Sequence, residues 1–407
     1  MADEDEFDLA VVGAGPAGAV AAFLAAKQGR RVALIDKRTF PRDKVCGDGI
    51  SPATVTMLRD LGLASALDGE IPVSTIDIRG PDGARLNGPL PSANGLPVEG
   101  FVVRRITFDH RLYRAAVTAG AIDLTGHSFV ATSISENFRV VTLKDKRGAG
   151  KRLHVKVLIG ADGAYSKVRE ALGERPARKA ELGIAMRGYA VSHDFDMDGK
   201  FGSQLGLEFS HHTLPGYGWI FPTGQGSVNV GIGVSVLDLR SRKLNLRSML
   251  DDYYKLLKER GVQLGELRDV RSHCLPQITS MPKLSHPRAV LIGDAASMIN
   301  PVSGEGIEYG IAAAKLLLDR LPLDLTASDI QSHLNDFERD FRRKYRAHFL
   351  SSLVAYVLLR NPSWSSIVLT AARRDPKVFR DSLELLFDSG RIKASTTLRI
   401  LKSGWRR

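Results

Sequence analysis

Apolar runs and helical patterns alternate along the first part of the chain. Residues 8–12 form an apolar run that predicts a buried strand, an alanine-rich stretch ending near Gln28 predicts a helix, and residues 31–35 predict a second strand. These three elements form a βαβ unit. Further apolar runs at residues 155–159 and 289–292 predict two more buried strands, each followed by a glycine-containing turn.

Two later stretches have the alternating pattern of a sheet. Residues 65–100 and 180–280 contain runs such as 183–191 and 204–209, in which apolar and polar side chains alternate. A mixed or antiparallel sheet, inserted between the α/β segments, is the natural interpretation.

The pattern becomes helical from about Ser328 onward. Phe337, Phe341 and Tyr345 recur every four residues, and the apolar stripe continues to Val357. The stripe predicts a helix that packs against the body of the protein. A lid over an apolar tunnel and a membrane-contact surface are the alternatives.

Composition narrows the class of protein. The chain has 407 residues, 43% of them hydrophobic, and can therefore bury a large core. Its two cysteines, Cys46 and Cys274, lie outside any CxxC pair, which argues against a disulfide framework or a zinc site. The acidic start lacks a signal pattern, and no apolar run approaches the roughly 20 residues of a spanning helix. We expect a cytoplasmic protein, with a peripheral position at the cytoplasmic membrane as the alternative.

Net charge is +12, and the excess of basic residues is marked near the C-terminus. A solvated tail and a peripheral membrane contact both fit this pattern. Nucleic acid is not an expected partner, because no recognised module such as a zinc finger occurs. The basic residues after Gly390 are Arg391, Lys393, Arg399, Lys402, Arg406 and Arg407.

The first strand leads into a glycine fingerprint. Residues 13–18 read Gly-Ala-Gly-Pro-Ala-Gly, which fits G-x-G-x-x-G and opens the predicted helix. The second strand ends at Asp36, where a carboxylate accepts hydrogen bonds from the ribose of an adenine dinucleotide. The unit predicts a dinucleotide site but does not choose between FAD and NAD.

Two further strands each end in a turn that contains an acidic residue. The strand at residues 155–159 precedes Gly160-Ala161-Asp162-Gly163, and the strand at residues 289–292 precedes Gly293-Asp294. Asn300, Pro301 and two glycines then lead into a helix, whose N-terminus would present free N–H groups to a ligand. A second ligand site so far along the chain from the fingerprint favours one long cofactor, FAD.

These three segments, in this order, resemble the FAD-contacting segments of para-hydroxybenzoate-hydroxylase-like flavoproteins, over roughly residues 6–325. The resemblance implies that Asp162 lies near the pyrophosphate and that Asp294 reaches the ribitol. Arg105, in an Arg-x-x-Phe-Asp element, is implied to lie near the flavin. Val130 resembles the strand position whose backbone meets the adenine, although an ordinary core valine is the alternative.

Two motifs resemble the geranylgeranyl reductase family. The first is Lys-Val-Cys-Gly-Asp-Gly at residues 44–49. The second is Tyr-Gly-Trp-Ile-Phe-Pro at residues 217–222, followed after eight residues by Gly-Ile-Gly at 231–233. The resemblance is nearest to bacterial members of the menaquinone-reductase type, which share Cys-Gly-Asp-Gly. Archaeal relatives more often carry Cys-Gly-Gly, which leaves the substrate open.

The residues themselves suit a long apolar substrate. Tyr217, Trp219 and Phe221 alternate along a predicted strand, so their rings point to one face and form an aromatic wall. Cys46 follows a basic loop, whose charges would lower its thiol pKa if they lay close in space. We expect Cys46 to position or protonate the substrate, and a small residue in a tight turn is the alternative.

The site hypothesis includes two further groups of residues. The predicted cofactor-binding residues are Gly13, Ala14, Gly15, Pro16, Ala17, Gly18, Asp36, Lys37, Cys46, Gly47, Arg105, Val130, Asp162, Gly163, Asp294, Pro301, Gly304, Gly306 and Ile307. The predicted substrate-binding residues are Tyr217, Trp219, Phe221, Pro222, Gly231 and Gly233.

The resemblance implies a mixed α/β fold: a Rossmann-like FAD-binding domain, an inserted β-sheet substrate domain and a C-terminal helical region. The expected function is FAD-dependent saturation of carbon–carbon double bonds in an isoprenoid chain, with NAD(P)H or a protein as electron donor. A flavin monooxygenase or halogenase and a membrane-associated carrier of electrons to quinone are the alternatives. The expected limits are 1–65, 100–180 and 281–325 for the FAD domain, 66–99 and 181–280 for the substrate domain, and 326–407 for the helices.

Overall fold

Two large β-sheets and a set of C-terminal helices make up the fold in the computed structural model, which describes residues 5–81, 83–91, 99–135, 137–279, 282–325 and 329–404. The strands are β1 (Asp5–Val12), β2 (Val32–Asp36), β3 (Gly49–Ile50), β4 (Pro72–Val73), β5 (Thr75–Arg79), β6 (Arg85–Pro89), β7 (Gly100–Val102), β8 (Ile122–Thr125), β9 (Ser128–Ile134), β10 (Arg139–Lys144), β11 (Gly150–Gly160), β12 (Leu182–Val191), β13 (Gln204–Glu208), β14 (Tyr217–Gly224), β15 (Ser227–Ser235), β16 (Arg268–Pro276), β17 (Ser285–His286) and β18 (Ala289–Leu291). The helices are α1 (Pro16–Lys27), α2 (Pro52–Asp60), α3 (Arg105–Thr118), α4 (Lys167–Ala171), α5 (Val236–Ser241), α6 (Leu246–Glu259), α7 (Ile307–Arg320), α8 (Ile330–Leu359), α9 (Pro362–Arg374), α10 (Pro376–Phe387) and α11 (Ala394–Gly404).

The first sheet brings the sequence motifs to one edge. Its central strands β18, β11, β1, β2 and β8 are parallel neighbours. In the register, Val12 lies opposite both Gly160 and Ile35, and Gly160 lies opposite Leu291. The carboxyl ends of these strands therefore align, and the turns that follow them meet at a crevice where open α/β sheets bind ligands.

The second sheet carries the aromatic motif. Its strand order is β16-β12-β15-β14-β13-β5-β6, and its pairs are antiparallel except for β13 with β5. β14 and β15 place Tyr217 opposite Gly233 and Trp219 opposite Gly231. A third, smaller sheet has the strand order β3-β7-β4. The mixed α/β fold is thus confirmed, while the expected domain limits stay a prediction.

The C-terminal helical region packs partly against the first sheet and its helices. Phe337, Phe341, Tyr345 and Phe349 on α8 are buried in the main hydrophobic core, which confirms the packed-helix interpretation for this part of the stripe. Val357, near the end of α8, is instead exposed. Within the described residues, no helix is both long and apolar enough to cross a membrane. Arg406 and Arg407 lie outside the described residues.

Candidate flavin and substrate site

A cavity of about 1000 Å³ joins the ligand edge of the first sheet to the aromatic face of the second. This volume is at the upper end of the range for ligand sites. The cavity is lined by residues of the glycine fingerprint and also by Tyr356, Leu359 and Phe387 of the C-terminal helices. One continuous space is therefore available to a long cofactor and an apolar substrate together.

The fingerprint turn is built for close backbone approach. Gly13 has a φ of +104°, and a Cβ there would lie 2.2 Å from the Ala161 carbonyl oxygen. A Cβ on Gly18 would lie 1.8 Å from the Gly13 oxygen, so only glycine lets α1 pack at this distance. At Gly15 the nearest atom to a Cβ would be a guanidinium nitrogen of Arg42, 3.6 Å away. That open backbone, beside a cation, suits a pyrophosphate.

Asp36 closes the other side of this turn. One carboxylate oxygen accepts a 3.0 Å hydrogen bond from the Ala14 N–H, and the other accepts one from the Arg38 N–H. Arg42 lies 3.5 Å from the same carboxylate. Asp36 and Lys37 also line the cavity, and their contact with an adenosine ribose stays a prediction.

Asp162 and Gly163 line the cavity beside the fingerprint. The Asp162 carboxylate accepts hydrogen bonds from the backbone N–H groups of Lys167 and Val168, and from the Ser166 hydroxyl. These bonds fix the turn before α4. Burial raises the pKa of Asp162 above its ordinary value, although the hydrogen bonds oppose that effect.

Asp294 forms an ion pair across the cavity wall with Lys44, whose Nζ lies 2.7 Å from the carboxylate. Burial alone would raise the pKa of Asp294, but the charge and hydrogen bond of Lys44, together with the charges of Arg105 and His273, outweigh burial and hold that pKa below its ordinary value. His273 lies in the same electrostatic environment. Burial and the nearby Lys44 charge lower the pKa of His273 to about 4, so its imidazole is neutral near pH 7.

Arg105 begins α3 and is buried against the cavity. Its guanidinium binds the Asp109 carboxylate through Nε at 2.6 Å and Nη2 at 2.8 Å, and Arg42 binds the same carboxylate at 2.9 Å. The positive charge of Arg105 also acts on the Cys46 thiol and favours its ionised form. The prediction that Arg105 belongs to the site rests on this position and on its cavity-lining atoms.

The Cys46 loop lies between Arg105 and the aromatic strand. Basic groups do lie near the thiol, as the sequence suggested, but the expected lowering of its pKa does not occur. Burial raises the pKa of Cys46 and outweighs Arg105 and Lys44, while the Asp48 carboxylate adds to the increase. The thiol therefore keeps its proton near pH 7 and is not activated as a nucleophile.

Tyr217, Trp219 and Phe221 all line the cavity, as their alternation predicted. The Tyr217 and Trp219 ring centroids are 6.0 Å apart, and Phe209 extends the row at 5.7 Å from Tyr217. The Tyr217 hydroxyl donates a hydrogen bond to the Ser303 carbonyl, which ties this wall to the loop before α7. The aromatic wall and the turn expected at the isoalloxazine edge are thus neighbours.

That turn completes the cavity on the side of the first sheet. Pro301, Gly304, Gly306 and Ile307 line the cavity, as does Glu305, whose carboxylate accepts a hydrogen bond from the Glu308 N–H. Burial raises the pKa of Glu305.

Some predicted site residues lie elsewhere. Val130 does not reach the cavity, because its side chain points outward from β9 and is 53% exposed, whereas Ser128 and Phe129 do line the cavity. Pro222 is buried on the opposite face of β14, as strand alternation requires. Gly231 lies beneath the Trp219 indole, where a Cβ would be 2.1 Å from the ring. It makes room for Trp219 instead of lining the cavity.

Sequence reasoning also missed several cavity residues. Arg42 and Lys44 belong to the basic loop before Cys46, but no motif in the sequence marks them as site residues. Only the fold shows their acidic partners, Asp109 and Asp294. His273 and Gln277 line the cavity from β16 and its end, without any local motif to mark them.

The fold and this site define a flavoprotein with a dinucleotide crevice. The FAD binding domain family matches residues 6–347. The chain is 39% identical over 323 residues to menaquinone reductase of Mycobacterium tuberculosis strain H37Rv, an alignment that covers 79% of this chain and 78% of the relative. It is 27% identical to digeranylgeranylglycerophospholipid reductase of Picrophilus torridus, over 86% and 87% of the two chains.

Solved structures show the same fold. A geranylgeranyl bacteriochlorophyll reductase-like protein from Thermoplasma acidophilum superposes with a TM-score of 0.80 at 22% identity, covering 98% of this chain and 96% of that chain. The myxobacterial chondrochloren halogenase superposes with a TM-score of 0.73 at 21% identity, covering 98% of this chain and 97% of that chain. The chain therefore belongs to the FAD-binding domain family and, within it, to the geranylgeranyl reductase family of FAD-dependent oxidoreductases. The recognition made from the sequence motifs is confirmed.

Proposed function

We propose that this protein reduces carbon–carbon double bonds in an isoprenoid chain. One observation carries the proposal: the crevice that fits FAD opens into an aromatic-walled cavity of the second sheet, without a break between them. Menaquinone and digeranylgeranylglycerophospholipid, the molecules in the names of the relatives, both carry isoprenoid chains. The shared feature is a long apolar chain, which rings and aliphatic side chains can bind along its length.

The residues divide the work of the reaction. FAD, when bound and reduced, supplies a hydride, and the electron donor that reduces it is NAD(P)H or a protein. Isolated alkenes accept hydride poorly, so proton delivery and positioning must lower much of the barrier. Tyr217, Trp219 and Phe221 hold the chain and exclude water. The Cys46 thiol is protonated near pH 7. It gives its proton to the alkene carbon that does not receive the hydride.

Arg105 supports this role for Cys46. When the thiol gives up its proton, a thiolate is left on the half-buried wall of the cavity, where an unpaired charge is costly. The positive charge of the nearby Arg105 guanidinium favours the thiolate and so stabilises that charge. Arg105 itself remains positive, because Asp109 is fully buried beside it. A proton from solvent then restores the thiol.

A second candidate is an oxygen-using hydroxylase or halogenase, since the halogenase structure shares the fold. Halogenases of this fold typically carry Trp-x-Trp-x-Ile-Pro. In this chain Tyr217 replaces the first tryptophan and Phe221 replaces the isoleucine, which weakens the halogenase candidate. A third candidate transfers electrons to a quinone head and leaves the side chain unchanged.

The test is anaerobic mixing of dithionite-reduced enzyme with a menaquinone, a polyprenyl diphosphate or a prenylated lipid, followed by mass analysis. Alkene reduction adds two hydrogen atoms to the chain without air. A product that gains oxygen only after air is admitted would establish the hydroxylase instead. A reoxidised flavin with an unaltered chain would establish the electron carrier.

We also propose that α8 contacts a membrane surface, so that a lipid-dissolved chain enters the cavity from there. Leu350, Val354 and Val357 are 61%, 49% and 62% exposed, and their spacing places them on one helix face. The same end of α8 supplies Tyr356 and Leu359 to the cavity lining. Exposed basic residues that would attract anionic lipid precede this face on the helix: Arg343, Lys344 and Arg346.

A further inference from the structure

Asn229 on β15 occupies the junction between the Cys46 loop and the aromatic wall. It is fully buried, and its side-chain amide makes three hydrogen bonds. The Nδ2 group donates to the Cys46 carbonyl at 2.8 Å and to an Asp48 carboxylate oxygen at 2.8 Å. The Oδ1 atom accepts from the Trp219 indole N–H at 2.9 Å. Because an indole N–H only donates, the amide orientation is chemically fixed.

Asp48 needs such anchoring. It is a non-glycine residue with a φ of +67°, in the left-handed region, and its carboxylate is fully buried. Besides Asn229, the carboxylate accepts hydrogen bonds from the Tyr189 hydroxyl at 2.6 Å and from the Arg105 N–H at 3.2 Å. The loop conformation that presents Cys46 is therefore imposed by its neighbours and not by its own backbone preference.

The three partners of Asn229 belong to two different parts of the proposed reaction. Cys46 lies 183 residues away in the chain and would supply the proton, while Trp219 would hold the isoprenoid chain. One amide thus sets the position of the acid relative to the wall that binds the substrate. Gly47, the next residue in the loop, packs closely against the Trp219 indole. A Cβ at Gly47 would lie 3.3 Å from the Trp219 Nε1 atom.

We propose that Asn229 is a positioning residue, which holds the Cys46 thiol at Arg105 and at a fixed place relative to the Trp219 wall. The inference rests on the proposed function, in which Cys46 is the acid. Among the described residues, no other hydrogen bond joins the Cys46 carbonyl to the second sheet, so loss of the Asn229 amide frees the loop at that point.

The test measures the chemical environment of the thiol and needs no substrate. The FAD-bound enzyme is alkylated with iodoacetamide between pH 6 and pH 10, and peptide mass analysis separates Cys46 from Cys274. The charged and titratable groups that face the thiol are Arg105 on α3, Lys44 and Asp48 on its own loop, and Tyr217 on β14. Asn229→Ala leaves all of these residues in the chain.

We expect Asn229→Ala to move the pH midpoint of Cys46 alkylation downward, toward that of an ordinary thiol, and to raise the rate at pH 7 at least fivefold. The matched control is Tyr189→Phe, which also removes one donor from Asp48 but does not touch the Cys46 carbonyl. Its rate at pH 7 should stay within twofold of wild type. Thermal unfolding of each variant reports whether the fold is retained.

An unchanged midpoint and rate in folded Asn229→Ala would overturn the proposal, and so would an equal change in Tyr189→Phe. If Asn229→Ala does not fold, Asn229→Thr is judged by the same criteria, because threonine suits a strand and keeps an acceptor for the indole. Failure of alkene reduction would overturn the proposed function but leave this result unaffected, since the alkylation does not depend on that reaction.

Discussion

The Lys44 ammonium lies 2.7 Å from the Asp294 carboxylate, although 250 residues separate the two in the chain. The pair joins the loop before Cys46 to the turn after β18, at the place where the flavin ribitol is expected. An ionised carboxylate there accepts stronger hydrogen bonds from ribitol hydroxyls than a neutral carboxyl group does. Burial opposes ionisation, and Lys44 is the largest of the charges that oppose burial, so Lys44 helps to keep a predicted cofactor residue ionised.

Replacing Lys44 should therefore make FAD binding sensitive to pH. The lowered pKa of Asp294 keeps its charge in wild type as the pH falls from 8 to 5. In Lys44→Met, burial raises the pKa, and the carboxyl takes up a proton within that range. We expect the FAD Kd to rise about tenfold between pH 8 and pH 5 in the variant, which corresponds to ~1.4 kcal/mol, and to stay nearly constant in wild type.

Flavin fluorescence titration at the two pH values measures this effect. Lys37→Met is the control, because it removes the same charge from the cavity lining but leaves the Lys44–Asp294 pair in place. Its two Kd values should keep the wild-type ratio. Parallel pH dependence in both lysine variants would contradict the role assigned to the ion pair.

The two glycines of the Gly-Ile-Gly motif should differ in their tolerance of alanine. A Cβ at Gly231 would lie 2.1 Å from the Trp219 ring, so Gly231→Ala must displace the indole. Overpacking of this kind costs about 1–3 kcal/mol of unfolding free energy. At Gly233 the nearest ring atoms would be 3.8 Å away, an ordinary contact, and Gly233→Ala should change stability by less than about 1 kcal/mol.

Urea unfolding of the two FAD-bound variants provides the comparison. Gly233 lines the cavity, so Gly233→Ala should narrow the space for the chain and raise the KM while the fold is retained. Equal stability losses at both positions would show that Gly231 is not the residue that accommodates Trp219.

Removal of the Cys46 thiol should slow the reduction step without loss of the cofactor. Positioned general acids contribute roughly 10²–10⁴-fold to a rate. We expect Cys46→Ala to lower the single-turnover rate of alkene reduction at least a hundredfold, while FAD affinity changes less than threefold. Anaerobic stopped-flow absorbance gives the rate, and Cys274→Ala is the matched control. A wild-type rate in Cys46→Ala would remove the proton-donor role.

Serine substitutions on α8 should weaken membrane binding. A variant that carries Leu350→Ser, Val354→Ser and Val357→Ser loses exposed apolar area from one helix face, and hydrophobic contact scales with that area. We expect its cosedimentation with phosphatidylglycerol vesicles to fall at least fivefold. Val191→Ser with Met197→Ser is the control, since those side chains are exposed elsewhere. Equal losses in both proteins would exclude α8 as the contact surface.

The sequence predicted those parts of the site that follow from strand geometry. Asp36 ends β2, while Asp162 and Asp294 follow β11 and β18, and these strands run parallel in one sheet. The ends of the strands therefore place the three carboxylates around one cavity. Alternation along β14 likewise brought Tyr217 and Trp219 to one face. Both results depend on local periodicity, which a sequence displays directly.

Contacts between distant segments were not predictable in this way. Nothing near Lys44 indicates that Asp294 is its partner, and nothing in the alternating run of β16 marks His273 as a cavity residue. The lowering predicted for the Cys46 pKa was wrong, because a sequence shows the charges near a thiol but not its desolvation. Val130 does not line the cavity, since one residue of register decides which side of a strand faces it, and the predicted contact of its backbone with the adenine stays a prediction.

The most direct test of the central claim is the stoichiometry of a single anaerobic turnover. Reduced enzyme is mixed with excess menaquinone, and two quantities are measured together: the flavin reoxidised, by absorbance, and the hydrogen gained by the polyprenyl side chain, by mass spectrometry. The proposed function predicts one pair of hydrogen atoms on the side chain for each flavin reoxidised. Complete flavin reoxidation with a side chain of unchanged mass would contradict it.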